Sequence, residues 1–233
     1  IPLSSLPPGT IVYPDSDGKP MADNTKQLRW MVTLYGNFCA QFQAVAEVFV
    51  AADHLWYPVE GEPAVFCAPD VYVVFGRPKG DRGSYRQWEE GGVPLTVVFE
   101  ILSPKNTPLE MIDKFDFYET HGVEEYYVYD PDANRLVVFV RRGEMLRRVR
   151  QADGFVSPRL GIRFVMTAPE MTVYGPDGRP FLTFEQLQEQ HRTAEQRLAR
   201  LGELSRKARR GLATPEELQE LERLEEQAAP PSP

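Results

Sequence analysis

Residues 94–103 read Pro-Leu-Thr-Val-Val-Phe-Glu-Ile-Leu-Ser, an apolar run interrupted by a single carboxylate, Glu100. A short β-branched and aromatic run of this kind predicts a strand covered on both faces. An ionised carboxylate buried there alone costs several kcal/mol or is forced neutral. A chain that keeps Glu100 in this place therefore needs a cation beside it, either a metal ion or a basic side chain.

The 233 residues suffice for one sizeable domain with an appendage, or for two small domains. Hydrophobic residues at 42% and charged residues at 26% are ordinary for a globular chain. No run approaches the roughly 20 apolar residues of a membrane span. The formal net charge of −8 argues against a protein that coats DNA through phosphate contacts. It leaves room for a nucleic-acid enzyme, because clustered acids that hold metal ions add negative charge themselves. One basic patch, Arg141, Arg142, Arg147, Arg148 and Arg150, reads as the solvated face of a hairpin. Cys39 and Cys67 make neither a disulfide framework nor a Cys-x-x-Cys pair. With no basic-then-apolar leader at the N-terminus, the expectation is a reducing cytoplasm.

Residues 1–20 are rich in Pro, Gly and Ser and predict an irregular lead-in. From about Asp23 to Gln43, Leu28, Met31, Val32, Tyr35, Phe38, Cys39 and Phe42 recur at three and four. This predicts a helix with one buried face. Strands are expected at Ala44–Val50, Leu55–Val59 and Val71–Phe75, followed by a long polar connection over 77–93 that carries Tyr85 and Trp88. Connections of that length inside a compact domain are often functional. After the strand Leu95–Leu102, Thr107, Pro108 and Glu110 mark a helix start, and Gly122 marks its end. Strands follow at Tyr126–Tyr129, Leu136–Arg141 and Met145–Arg150.

The chain beyond residue 180 is different in kind. Phe184, Leu187, Ala194, Leu198 and Leu201 step by three, four or seven, with His191 on the same seam. Gly211 closes that helix. Thr214-Pro215-Glu216-Glu217 opens another with a capping box, and Leu218, Leu221 and Leu224 form its stripe. The organisation expected is a domain over 1–180 and a coiled-coil-like helical hairpin over 181–233.

Three residues stand out for chemistry. Asp70 follows Pro69 just ahead of an apolar strand, Glu100 lies within one, and Lys114 shares a helical face with Met111 and Tyr118. Singly, each has a bland reading: a turn, an ion pair, a solvated lysine. Their order is more telling, because an acid, a strand acid and a lysine on the next helix can meet at one end of a sheet.

Residues that match a family pattern are Ala68-Pro69-Asp70-Val71, the Tyr85–Trp88–Glu89 loop and Phe99-Glu100-Ile101-Leu102-Ser103. Lys114 through Tyr118 and Gly122-Val123-Glu124-Glu125-Tyr126-Tyr127-Val128-Tyr129-Asp130-Pro131 complete it. The ordered set, over about residues 15–180, resembles the Uma-type restriction endonucleases, a branch of the PD-(D/E)XK nuclease superfamily. The resemblance implies an α/β restriction-endonuclease-like fold, a mixed central sheet with helices on both faces. It further implies that Asp70, Glu100 and the Ile101 carbonyl bind Mg2+ or Mn2+, both of which favour oxygen ligands. The usual lysine of the pattern falls two residues after the second acid, where this chain has Leu102. Lys114 is the expected replacement. Asp23, Gln27 and Tyr118 are secondary candidates, and Glu124 and Glu125 are expected to orient the chain at a strand entrance.

Besides a metal-dependent hydrolase of a smaller phosphate ester, two functions follow. One is a metal-dependent nuclease acting on nucleic acid, DNA before RNA. The other is a catalytically weak or inactive interaction module of the same fold that assembles through its C-terminal helices. The tail makes a homodimer the expected assembly.

Overall fold

In the computed structural model, which describes residues 11–167 and 169–228, the chain divides after Phe181 into two compact units. Half of the expected lead-in, residues 1–10, lies outside the described residues. The first unit runs α1 (Thr25–Gln41), β1 (Val48–Ala52), β2 (Trp56–Tyr57), β3 (Val71–Phe75), β4 (Tyr85–Arg86), β5 (Val97–Ile101) and α2 (Pro108–Thr120). It continues with β6 (Glu125–Asp130), β7 (Arg135–Arg142), β8 (Met145–Arg148), β9 (Arg163–Val165) and β10 (Thr172–Tyr174).

Six strands form one mixed sheet in the order β1-β3-β5-β6-β7-β8. Only β5 and β6 among these neighbours run parallel, and the remaining pairs are antiparallel. Parallel neighbours need a crossover, and α2 is the element between them in the chain. The two faces carry separate apolar cores. Trp30, Met31, Leu34 and Phe38 of α1 share one with Val97, Phe99 and Ile101 of β5. Val98 of β5 joins the other with Tyr118, while Met111, Phe115 and Phe117 of α2 pack against its margin. The period of two along β5 therefore turns Glu100 toward the α2 side.

Both helix starts follow from local chemistry. The Asn24 side chain accepts the Gln27 N–H at 2.9 Å, and Thr107 accepts the Glu110 N–H at 3.2 Å with Pro108 in the first turn. The buried face of α1 differs from the sequence expectation. Met31 and Phe38 are buried, but Leu28, Val32 and Tyr35 are 39%, 49% and 40% exposed, and Trp30 and Leu34 take the core positions. The helix is apolar over more than one face, so spacing alone did not select the side that meets the sheet.

Strand limits also moved. Residues 42–47 are turns rather than the start of a strand, with Val45 N–H donating to the Phe42 carbonyl. The expected strand Leu55–Val59 shrinks to β2, which pairs in parallel with β4. That pairing gives structure to the 77–93 connection, where Arg82 donates to Glu90 at 2.6 Å and the Tyr85 hydroxyl donates to the Val93 carbonyl at 2.8 Å. The short antiparallel pair β9–β10 has no counterpart in the sequence reading.

The second unit comprises α3 (Phe184–Arg209) and α4 (Pro215–Ala228). Thr183 and Gln186 form a capping box at the start of α3, and Thr214 and Glu217 form one at the start of α4. Gly211, at φ +68°, takes the left-handed conformation that turns the chain between them. The C-terminal half of α3 meets α4 through Arg200–Glu220 at 2.7 Å, Lys207–Glu217 at 2.6 Å and the fully buried Leu204. Ahead of those contacts on α3, Phe184, Leu187 and Leu198 are 63%, 53% and 66% exposed. No helix among the described residues is long and apolar enough to cross a membrane.

Glu125 at the entrance of β6 is a buried acid with no basic side chain paired to it among the described residues. It accepts hydrogen bonds from the Tyr127 hydroxyl at 2.6 Å, the Ser157 hydroxyl at 2.5 Å and the Arg159 N–H at 2.7 Å. The carboxylate thereby fastens the segment beyond β8 to the sheet. Glu125→Ala strands three donors and is expected to lower the unfolding free energy by about 3 kcal/mol, measured by urea denaturation. A loss below about 0.5 kcal/mol, the scale of an ordinary surface change, would refute this fastening role.

Candidate active site

The β3/β5 ladder sets Val71 opposite Phe99. One step further along the same register, Asp70 comes opposite Glu100. The Ile101 N–H donates to Asp70 Oδ2 at 2.6 Å, which ties the side chain ahead of β3 to the end of β5. Asp70 is 9% exposed and Glu100 2%.

α2 delivers the cation. Its N-cap fixes the helix start, and Lys114 and Tyr118, four residues apart, share the face toward β5. Lys114 Nζ donates to Glu100 Oε2 at 2.7 Å, and the Tyr118 hydroxyl donates to Oε1 at 2.5 Å. Both oxygens of the strand acid are therefore occupied. The Tyr118 hydroxyl also lies 3.1 Å from Cys67 Sγ.

Of the secondary candidates, Gln27 enters the cluster directly. Its amide nitrogen donates to the Ile101 carbonyl at 3.0 Å and, more weakly, to Asp70 Oδ2 at 3.4 Å. The Asp23 N–H donates to Gln27 Oε1 at 2.8 Å, which fixes the orientation of that amide. The Asp23 side chain points to a separate rim contact, accepting from the Ser103 hydroxyl and Lys105 Nζ, each at 2.7 Å. The structure thus brings Asp70, Glu100, Ile101, Lys114, Tyr118 and Gln27 together, with Asp23 bound to the cluster through its backbone. Glu124 pairs with Arg159 at 2.9 Å outside it.

A cleft of about 720 Å³ opens onto Asp23, Gln27, Asp70 and Lys114. Its walls carry Asp17, Asp23, Asp53, Asp70, Glu110 and Asp113 against only Lys19 and Lys114. Burial, with the Glu100 charge next to it, pushes the Asp70 carboxyl up to about 7. Burial alone would lower the Lys114 ammonium, but the charges of Glu100 and Asp70 outweigh it and hold the group above the usual lysine range. Burial keeps the Tyr118 phenol well above its ordinary range, so it remains a hydrogen-bond donor. Asp53 at the cleft wall is also raised, by burial and then by Asp17. Sequence reasoning passed over Asp53 and Cys67, since an acid after a strand and a lone cysteine carry no spacing signal.

The donor set suits a hard divalent cation. Two carboxylates and the Ile101 carbonyl are oxygen ligands, and two buried acids against one lysine leave negative charge unbalanced. Both hydrogen bonds to the Asp70 carboxylate fall on Oδ2. Oδ1 is thereby left for another partner. Among the described residues no group of three or more His, Cys, Asp or Glu side chains gathers as a metal site, so the set rests on two acids and a carbonyl. The arginines of the β7–β8 hairpin stand apart from this site. Arg141 donates to the Val123 and Glu119 carbonyls at 2.8 and 2.6 Å, and Arg142, Arg147, Arg148 and Arg150 are exposed.

A search of the curated proteins matched none. Among solved structures, the chain is similar to one from Anabaena variabilis ATCC 29413 described as "a putative nuclease belonging to DUF820". The two share 16% identity over 60% of this chain and 74% of that one, with a TM-score of 0.41, too distant to transfer a site or an activity. The sequence model of the Uma2 family, described as "Putative restriction endonuclease", matches residues 9–169. The chain belongs to the Uma2 family of restriction-endonuclease-like proteins.

Proposed function

We propose that this protein is a metal-dependent endonuclease that hydrolyses phosphodiester bonds in DNA, with Asp70, Glu100 and Lys114 as its catalytic residues. The observation that carries the reading is the meeting of those three side chains, from the residue ahead of β3, from β5 and from α2, beside an acidic cleft that Asp70 and Lys114 line. Membership of the family supports the reaction class.

Asp70, Glu100 and the Ile101 carbonyl would hold Mg2+ or Mn2+. A bound divalent ion supplies Lewis acidity toward a phosphate oxygen and lowers the pKa of its water. The chain's own residues do the rest. Lys114 holds a fixed positive charge where negative charge develops on the phosphate, in surroundings from which bulk water is largely excluded. Gln27 steadies the Ile101 carbonyl and the Asp70 carboxylate, and the Ile101 N–H fixes Asp70 against β5. The acidic walls disfavour a polyanion approaching alone, so cations must accompany the substrate.

We also propose self-association of the chain into a homodimer through α3. The exposed Phe184, Leu187 and Leu198 repeat at the seam spacing of a coiled coil and supply the apolar face for it.

Nicking of supercoiled plasmid in Mg2+ or Mn2+ is the direct assay. Asp70→Ala and Glu100→Ala are each expected to reduce it at least ~100-fold, the scale of a lost electrostatic contribution at a reacting centre. Cleavage that persists in both variants would place the chemistry elsewhere.

Asp70 also predicts a pH-dependent stability. Its folded value, about 7, lies above the ordinary 3.8, so the folded chain binds the proton more tightly than the unfolded one. The carboxyl is tolerated best at low pH, and stability falls as pH rises from about 4 through 7. Asp70→Asn removes this penalty. Without divalent ions it should melt above the wild type at pH 8 and level with it at pH 4. Added Mn2+ should then raise the wild-type melting temperature selectively. Parallel melting curves for the two proteins at every pH would contradict the assignment.

For the assembly, Leu187→Glu with Leu198→Glu should convert a dimer into a monomer in light scattering without loss of helix content. A doubly substituted chain that still dimerises would rule out the α3 seam.

A further inference from the structure

The two donors to Glu100 are held in different ways. The Tyr118 ring is fully buried, stacked against Trp56 at 6.4 Å and 8° and set edge-on to Tyr126 at 4.9 Å. Its hydroxyl position is therefore fixed by aromatic packing, independently of the hydrogen bond it makes. Lys114 reaches Oε2 on a four-carbon stem whose tip borders the cleft, and its side chain is 18% exposed. One donor is anchored in the core, and the other can swing.

We infer that Tyr118 is a positioning residue. It pins Glu100 through Oε1, so that Oε2, the oxygen Lys114 now occupies, is the one presented to a divalent cation. The inference rests on the metal-centre reading of Asp70 and Glu100 and adds to it a division of labour. Lys114 yields Oε2 when a cation arrives, while Tyr118 keeps the carboxylate from rotating away. A neutral phenol suits this task because it orients the carboxylate without cancelling the charge that attracts the cation. A second ammonium in the same place would compete for the site.

The test uses the full-length protein and Mn2+ alone, with affinity read by calorimetry at fixed pH and ionic strength. Tyr118→Phe keeps the ring and removes only the hydroxyl. It should weaken Mn2+ binding ~10–100-fold, the usual cost of losing a partner that orients a metal ligand, while near-UV circular dichroism stays native. Lys114→Met, which keeps the stem and removes the competing cation, should bind Mn2+ at least as tightly as the wild type. Tyr118→Phe binding at wild-type affinity would overturn the inference while leaving the metal centre standing. So would loss of binding in Lys114→Met, since Tyr118 would then be insufficient to hold Glu100. This second variant decides the matter if Tyr118→Phe fails to fold. Wild-type protein that binds no Mn2+, or binds it undiminished after Glu100→Gln, would instead sink the metal-centre reading itself, and the inference with it.

Discussion

The ion pair between Glu100 and Lys114, buried between the middle of the sheet and the helix that crosses it, is the contact that compensates the strand acid and sets the helix against the sheet. Breaking such a pair from one side leaves a charge in low dielectric and destabilises by several kcal/mol, far more than an exposed pair contributes. It also fixes the rotation of α2 about its axis, because Lys114 and Tyr118 must both face β5 to reach one carboxylate. The same rotation turns Met111, Phe115 and Phe117 toward the second core. Charge pairing and apolar burial thus specify one helix orientation together.

A stable protein has little reason to set Asp70 beside that pair. Burial, and then the neighbouring Glu100 charge, raises the Asp70 carboxyl toward neutrality. Misfits of this kind between local energetics and the global fold concentrate at functional sites. Glu125 offers a contrast within the same sheet. It is as deeply buried, yet three neutral donors satisfy it. Two buried acids in adjacent parallel strands are thus compensated differently, one by an ammonium and a phenol, the other by neutral donors.

Much of the site is legible in the amino-acid sequence. An acid inside an apolar run requires compensation, and Lys114 lies on the next helix, whose start Thr107 and Pro108 mark. Tyr118 is reachable as a neighbour of Lys114 by helical spacing. Other features are hidden for physical reasons. The exposed apolar face of α1 arises because Leu28, Val32 and Tyr35 fit a core-facing stripe as well as Trp30 and Leu34 do. β4 consists of two residues whose pairing with β2 comes from a distant segment, so no local periodicity announces it.

The sequence by itself determined most of the succession of helices and strands, the helix caps Thr107 and Thr214 and the need for a cation beside Glu100. Those follow from backbone propensity, side-chain period and the cost of a buried charge, which act over a few residues. Only the tertiary structure decided that Lys114 and Tyr118 divide the two oxygens of Glu100, that Asp70 docks on the Ile101 N–H, and that Glu125 goes without a cation. Each depends on strand register and helix rotation, which are set by packing between segments far apart in the chain.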